Sequence, residues 1–444
     1  MAEATKRLAR WDKQYVWHPF TQMREWDPKD FLVIEKGRGS WLIDTDGRRY
    51  LDGVSSLWCN VHGHRVPELD RALRGQIGRI AHSTFLGLSN VPAVQLSREL
   101  MRAAPRGLGK VFYSDSGSEA VEIALKMAFQ YWKHKGKPRK EGFLKLTNAY
   151  HGDTIGSVSV GGIGIFHEIF GPLLFKTFSA KGPDRYHEKF RGSDDAYAAV
   201  CAARVEKVLR KRAGKIAAIV MEPLVQGAAG MITHPRGFLK RVRRLADRYG
   251  VLLILDEVAT GFGRTGRMFA CQTEGVRPDI LCLAKGLTGG YLPLAATLAT
   301  DEIYNAFLGR YEEFKTFFHG HTYTANPLAC AAALANLKRF RARGVLARNR
   351  RLIRSLTRHL SAFRALPEVG DVRQCGLMAG IELKEQNPRV GARVARRARD
   401  KGVIIRPLGN VIVLMPPYSF TEAELARLCR ATREAIVEIA GERR

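Results

Sequence analysis

The sequence predicts an α/β fold with a mainly parallel central sheet flanked by helices, followed by a smaller α+β unit. Three observations carry that reading. Short, nearly continuous apolar runs alternate with amphipathic helical stretches through the middle of the chain, the pattern of a parallel sheet covered on both faces. The alternation changes after Pro327, where two helices precede a helix interleaved with strands. At 444 residues the chain is long enough for two or three domains.

The strands expected in order are 110–115 (KVFYSD), 142–147 (GFLKLT), 215–223 (KIAAIVMEP), 251–257 (VLLILDE), 279–284 (DILCLA) and 294–300 (LAATLAT). Helical periodicity fills 118–135, 195–213, 237–249 and 301–308 between them. Beyond them come helices at 325–343 and 349–363, a strand at 376–383, a helix at 389–401, strands VIIRPL and VIVLMPP, and a last helix after Thr421. The polar stretch 179–195 reads as a surface loop.

The bulk properties exclude several classes. A 45% hydrophobic, 26% charged composition is that of an ordinary globular protein. Apolar runs such as 292–299 fall well short of the ~20 residues a membrane helix needs. The N-terminus is basic without an apolar stretch, unlike a signal peptide. Seven scattered cysteines without a C-x-x-C pair fit a reducing compartment, so a cytoplasmic protein is expected.

The net charge of +29 raises nucleic-acid binding as a rival function. The densest basic run, 338–360, keeps Leu346, Ile353, Leu356 and Leu360 at helical spacing, which reads as a solvated helix face over a buried stripe. A nucleic-acid binder on a degenerate enzyme scaffold would also be expected to have lost its chemistry-bearing residues. No nucleic-acid partner and no membrane partner are expected.

Gly261-Phe262-Gly263-Arg264-Thr265-Gly266 matches the G-x-G-x-x-G dinucleotide pattern. Five residues separate it from the apolar run, however, and no helix start or later acidic strand end follows it, as that fingerprint requires. Asp256 instead ends the apolar run, where open α/β sheets place their ligands. The next strand runs into Lys285 on a glycine-rich turn. Those two suit either a strand-end salt bridge or a Schiff-base lysine with a carboxylate facing a pyridine nitrogen.

Two further strand ends favour the second choice. Ser116-Gly117-Ser118 opens a strong helix whose free N–H groups suit a phosphate, although plain capping by Ser116 gives the same pattern. Tyr150-His151-Gly152-Asp153 places an aromatic, a histidine and an acid on another turn. Together they make a consistent site for pyridoxal 5'-phosphate. His62-x-His64 and His319-x-His321 lack carboxylate or cysteine partners at ligand spacing along the chain, so no metal is expected. Gly161-Gly162-Ile163-Gly164 reads as a flexible turn.

Through LLILDEVATGFGRTG, ILCLAKGLTGGYLPLAAT, SDSGSEAVEIALKMA and YHGDT, the chain resembles the class III, fold type I pyridoxal-phosphate aminotransferases over nearly its whole length. WHPFTQM, ALKMAFQYW, VQGAAGM and IRPLGN…VLMPPY narrow the resemblance to the branch of biotin synthesis. It implies an N-terminal segment, 1–65, joining a small domain, 326–444, beside a large cofactor-binding domain, 66–325. It assigns the Schiff base and proton transfer to Lys285, the pyridine nitrogen to Asp256, and the two ring faces to Tyr150 and Val258. Gly117 and Ser118 take the phosphate, joined by Thr322 of a second subunit, which implies a homodimer. Phe20, Leu57, Trp58, Tyr150 and Gly320 line the substrate pocket, and Arg406 receives a distant carboxylate of the keto acid. Asp153, Glu222 and Arg264 fall near the site without a defined role.

The chain departs from adenosylmethionine users of that branch, which read His-Pro-Tyr-Thr, Trp-Trp and His-Gly-Pro-Thr. Here Phe20 lacks the hydroxyl, Leu57 replaces an aromatic wall, and His321 replaces the proline. Those differences resemble the branch that takes lysine as amine donor. Another ω-amino-acid aminotransferase is the alternative within the family.

Overall fold

The computed structural model describes residues 3–27, 31–342, 344–387 and 389–442. Its centre is a seven-stranded sheet in the order Leu108–Ser114, Ala295–Thr300, Ile280–Leu283, Leu252–Asp256, Ile216–Met221, Gly142–Leu146, Phe178–Ala180. Only Ala295–Thr300 runs antiparallel to its neighbours, and every other pair within the sheet is parallel. The six expected strands all form, with bounds shifted by a few residues.

Period-two alternation explains why the strands read as continuous apolar runs. Ile219, Met221, Leu253, Leu255, Leu281 and Leu283 enter one core with the helices Asp194–Arg212 and Phe238–Tyr249. Ala218, Val220, Leu252, Ile254, Ile280 and Cys282 enter another with the helix Gly117–His134. Both faces are buried, so neither can be polar. Each buried Leu or Ile side chain contributes roughly 1.5–3 kcal/mol.

Register sets the site. Asp256 pairs with Cys282, so Lys285 emerges three residues beyond that level at the carboxyl edge of the sheet. Ser114, at the far end of the sheet order, finishes at the same edge opposite Ala295. The first strand in sequence is therefore brought beside the last, and a crevice opens where the order reverses.

Two four-stranded sheets flank this core. The strands Ile34–Arg38, Trp41–Asp44 and Arg49–Asp52 form an antiparallel ribbon, and Val403–Ile404 adds to it in parallel. Val369–Cys375, Met378–Leu383, Val411–Leu414 and Arg406–Leu408 form an antiparallel sheet. The expected single strand VIIRPL is thus two strands in different sheets, divided at Ile405. The stretch 179–195 is not all loop: Ser179 and Ala180 belong to the edge strand Phe178–Ala180.

The basic helix Val345–Arg364 buries Leu352, Leu356 and Leu360, with Leu346 and Ile353 partly covered beside them. Arg348, Arg350, Arg351, Arg354 and Arg358 are exposed, the solvated face expected from the sequence. Residue 343, the end of one expected helix, lies outside the described residues. Among the described residues no helix is long and apolar enough to cross a membrane.

Candidate active site

The crevice at the carboxyl edge is a cleft of about 670 Å³ lined by Trp58, Gly117, Ser118, Tyr150, Asp256, Val258 and Lys285, among others. The four motifs that were separate in sequence meet there.

Lys285 opens the one-turn helix Lys285–Thr288 with a left-handed φ of 43°. That conformation is costly for a side-chain-bearing residue and persists only where the surroundings impose it. Asn336 Nδ2 supplies the restraint, donating to the carbonyls of Gly286 and Leu287 at 2.8 Å each. The Lys285 Nζ lies 5.4 Å from the centre of the Trp58 ring. Burial lowers its pKa below the ordinary lysine range, against the pull of the Asp256 and Glu222 carboxylates. A neutral amine is the form a nucleophile or base needs.

Asp256 is buried, and each of its oxygens has a donor. His151 Nδ1 donates to Oδ2 at 2.8 Å and the Val258 N–H donates to Oδ1 at 2.9 Å. Glu222 is buried nearby, accepting from the N–H groups of Tyr150 at 3.1 Å and Gly227 at 2.9 Å. Burial pushes its pKa up to about 7; His151 opposes the rise and Asp256 adds to it. The Tyr150 hydroxyl donates to Asp153 at 2.8 Å, which locks its ring at the cleft.

Ser116 does cap the helix Gly117–His134, in a reciprocal box with Glu119. The cap consumes the Glu119 N–H, leaving those of Gly117 and Ser118, which have no intrahelical acceptor in the first turn. Capping and anion binding are therefore both served by one helix end. A Cβ at Gly117 would stand 2.6 Å from Val258 Cγ1, so the glycine permits this close approach. Gly152, with φ 121°, packs where a Cβ would fall 2.3 Å from Ser118 Oγ. The Ser118 hydroxyl is itself engaged, accepting the Thr154 N–H at 3.0 Å and lying 2.7 Å from Thr154 Oγ1. These donors, the lysine and the buried carboxylate fit a phosphorylated pyridine aldehyde.

Not every expected residue meets in this chain. Trp58 is only 6% exposed and lines the cleft with its indole N–H unpartnered, whereas Leu57 beside it is 50% exposed and does not line it. Arg406 stands on the Arg406–Leu408 strand within electrostatic reach of Tyr150; burial lowers its pKa. Phe20 lies on an exposed N-terminal segment. Gly320 and Thr322 are exposed on a loop that does not line this cleft.

The GFGRTG loop is not a nucleotide cradle. Its Arg264 is fully buried and donates to the carbonyls of Pro416 at 2.8 Å and Trp58 at 3.2 Å, clamping the two chain ends behind the cleft. His62 packs against Phe340 and Tyr418, and burial lowers its pKa to about 3. His64 lies 2.9 Å from Asp52. The fold does bring carboxylates to the other pair: Asp115, Glu119 and His321 place ligand atoms within 4.8 Å of one another. Glu119 is already committed there to the helix cap. His151 and Phe166 carry contacts that the sequence motifs did not assign.

The chain matches the family described as "Aminotransferase class-III" over residues 22–436. It is 52% identical to the adenosylmethionine-8-amino-7-oxononanoate aminotransferase of Geobacter sulfurreducens, covering 98% of this chain and 99% of that one. The Aquifex aeolicus protein of the same name is 51% identical, covering 98% of each. The crystal structure of the Methanocaldococcus jannaschii protein superposes with a TM-score of 0.92 at 46% identity, covering 97% of this chain and 99% of that one. The ω-transaminase of Pseudomonas jessenii in complex with PMP gives 0.93 at 31% identity, covering 98% of each.

Proposed function

The chain belongs to the class-III aminotransferases and uses pyridoxal phosphate, and from that premise we propose that it transfers an amino group to 8-amino-7-oxononanoate, forming 7,8-diaminononanoate in biotin synthesis. The observation that carries the reading is the lysine and buried carboxylate of one cleft, in a chain that shares half its residues with relatives of that name.

Bound in the cleft, the cofactor supplies an electron sink for bond breaking at the amine-bearing carbon. Asp256, fixed by His151 and the Val258 N–H, would hold the proton on the ring nitrogen. The Lys285 Nζ would carry the proton from the amine-bearing carbon of the donor to the cofactor in the first half-reaction, and from the cofactor to the acceptor carbon in the second. Tyr150 and Val258 would bracket the ring, and the Gly117 and Ser118 N–H groups would hold the phosphate, joined by Thr322 of the partner subunit. Trp58 would bound the substrate in this chain's own cleft, with Leu57 exposed beside it. Phe20 would approach from the N-terminal segment and Gly320, like Thr322, from the second subunit, and Arg406 would pair with the remote carboxylate.

A homodimer follows from the Thr322 assignment. Exposed apolar side chains at Ile165, Ile169 and Leu173 and at Tyr311, Phe314 and Phe318 support it. Seven unpaired cysteines support a cytoplasmic setting. Relatives are named for adenosylmethionine as donor. Phe20 without its hydroxyl and Leu57 in place of an aromatic ring favour lysine here. Incubating loaded protein with each donor and the keto acid, and detecting 7,8-diaminononanoate by mass, tests the reading. Formation with either donor supports it, and formation with lysine alone settles the donor. No product with either donor overturns it.

A further inference from the structure

We propose that Phe166 is a positioning residue that seats the N-terminal segment over the amine pocket by holding Phe20; the inference rests on the aminotransferase reading above. Its origin is the Gly161-Gly162-Ile163-Gly164 stretch, which sequence alone marks as a loose turn. The structure makes it a clip. Gly162 donates its N–H to the Ala149 carbonyl at 2.7 Å and accepts from the Asn148 N–H at 3.2 Å. A Cβ at Gly162 would stand 2.8 Å from both the Asn148 nitrogen and the Leu146 oxygen, so only glycine lets the two backbones lie this close. The clip therefore docks on the strand end immediately before Tyr150.

The one-turn helix Gly164–His167 follows directly and carries Phe166 into a row of rings. Phe166 meets Phe20 at 5.5 Å and 67°, and meets Tyr150 at 6.4 Å and 82°. Both are edge-to-face contacts of the favourable kind. His167 stacks on Tyr150 from the same turn, with centroids 6.4 Å apart at 13°. Phe166 is absent from the cleft wall; Tyr150 anchors it, and it acts through Phe20.

The rest of the N-terminal segment is tied elsewhere. His18 and Trp26 both bond Asp12 on the preceding helix, and Glu25 pairs with Arg389. Phe20 is 63% exposed with a left-handed φ of 52°. Among the described residues, Phe166 is its one ring partner. A phenylalanine at position 20 offers no hydroxyl to fix the segment by a polar bond, so ring packing does it.

The test follows the loss of visible absorbance when loaded protein is mixed with lysine or adenosylmethionine, in wild type, Phe20→Ala, Phe166→Ala, Phe166→Leu and the double alanine variant. Phe166→Ala should raise the donor concentration for half-maximal rate about three- to tenfold, the contribution of an edge-to-face ring pair. The limiting rate should stay within about twofold, since no atom of Phe166 reaches the donor. Phe166→Leu should fall between, and the double variant should match Phe20→Ala, because the two residues act as one unit. Should Phe166→Ala fail to hold the cofactor, Phe166→Leu carries the comparison. Donor dependence identical to wild type in both Phe166 variants, or losses that simply multiply in the double variant, overturns the proposal. A wild type bleached by neither donor overturns the parent reading as well.

Discussion

At the scale of single residues, chemistry rests on groups the fold strips of water. Lys285→Ala should abolish transamination while the fold persists; loss of the proton transfer proposed for it would alone cost roughly 10²–10⁴-fold, measured as turnover of loaded protein. Full activity in that variant would end the lysine assignment. Arg406→Ala should raise the keto-acid KM roughly ten- to a hundredfold, the value of a charged hydrogen bond, while the donor half-reaction survives. Equal damage to both halves would remove its carboxylate role. Lys285 and Asp256 were legible because strand ends followed by glycine turns leave a clear trace in sequence. His151 was not, since its bond to Asp256 spans 105 residues. Nor was the strain at Lys285, which depends on Asn336 from a distant helix.

At the scale of elements, the strands were readable where both faces are apolar and obscure where one is wet. The Val369–Cys375 strand is half polar and was not expected, although it pairs along the whole of Met378–Leu383. The Gly117–His134 helix declared itself by its cap and its periodicity. Gly117→Ala should weaken cofactor retention on the order of tenfold, because overpacking against Val258 displaces the helix start; equilibrium dialysis of the cofactor reads it.

Glu257, which accepts from the Ala270 and Cys271 N–H groups, gives a test of folding independent of catalysis. Burial pushes its pKa up to about 7 from an unfolded value of 4.5. Between those values the folded state holds more protons than the unfolded one, so this group's contribution to stability falls as pH rises through that window. The advantage in Tm of wild type over Glu257→Gln should therefore shrink between pH 5 and pH 8. A gap that widens would contradict the burial assigned to Glu257.

At the scale of the molecule, two chain ends far apart in sequence close one site. Val403–Ile404 adds to the N-terminal ribbon, and Arg264 bonds carbonyls of both Trp58 and Pro416. No periodicity announces such pairing, so only resemblance suggested it. On the proposed homodimer, the exposed Ile169 would be covered by a second copy, so Ile169→Asp should shift sedimentation toward the monomer and reduce activity with it. A monomeric, fully active wild type would separate the cleft from the interface.

The most direct measurement is the return of visible absorbance. Loaded protein is first bleached with an amine donor, freed of excess donor, and then mixed with 8-amino-7-oxononanoate alone. The absorbance should recover in step with one equivalent of 7,8-diaminononanoate. Recovery with other keto acids but none with this one would contradict the proposed function.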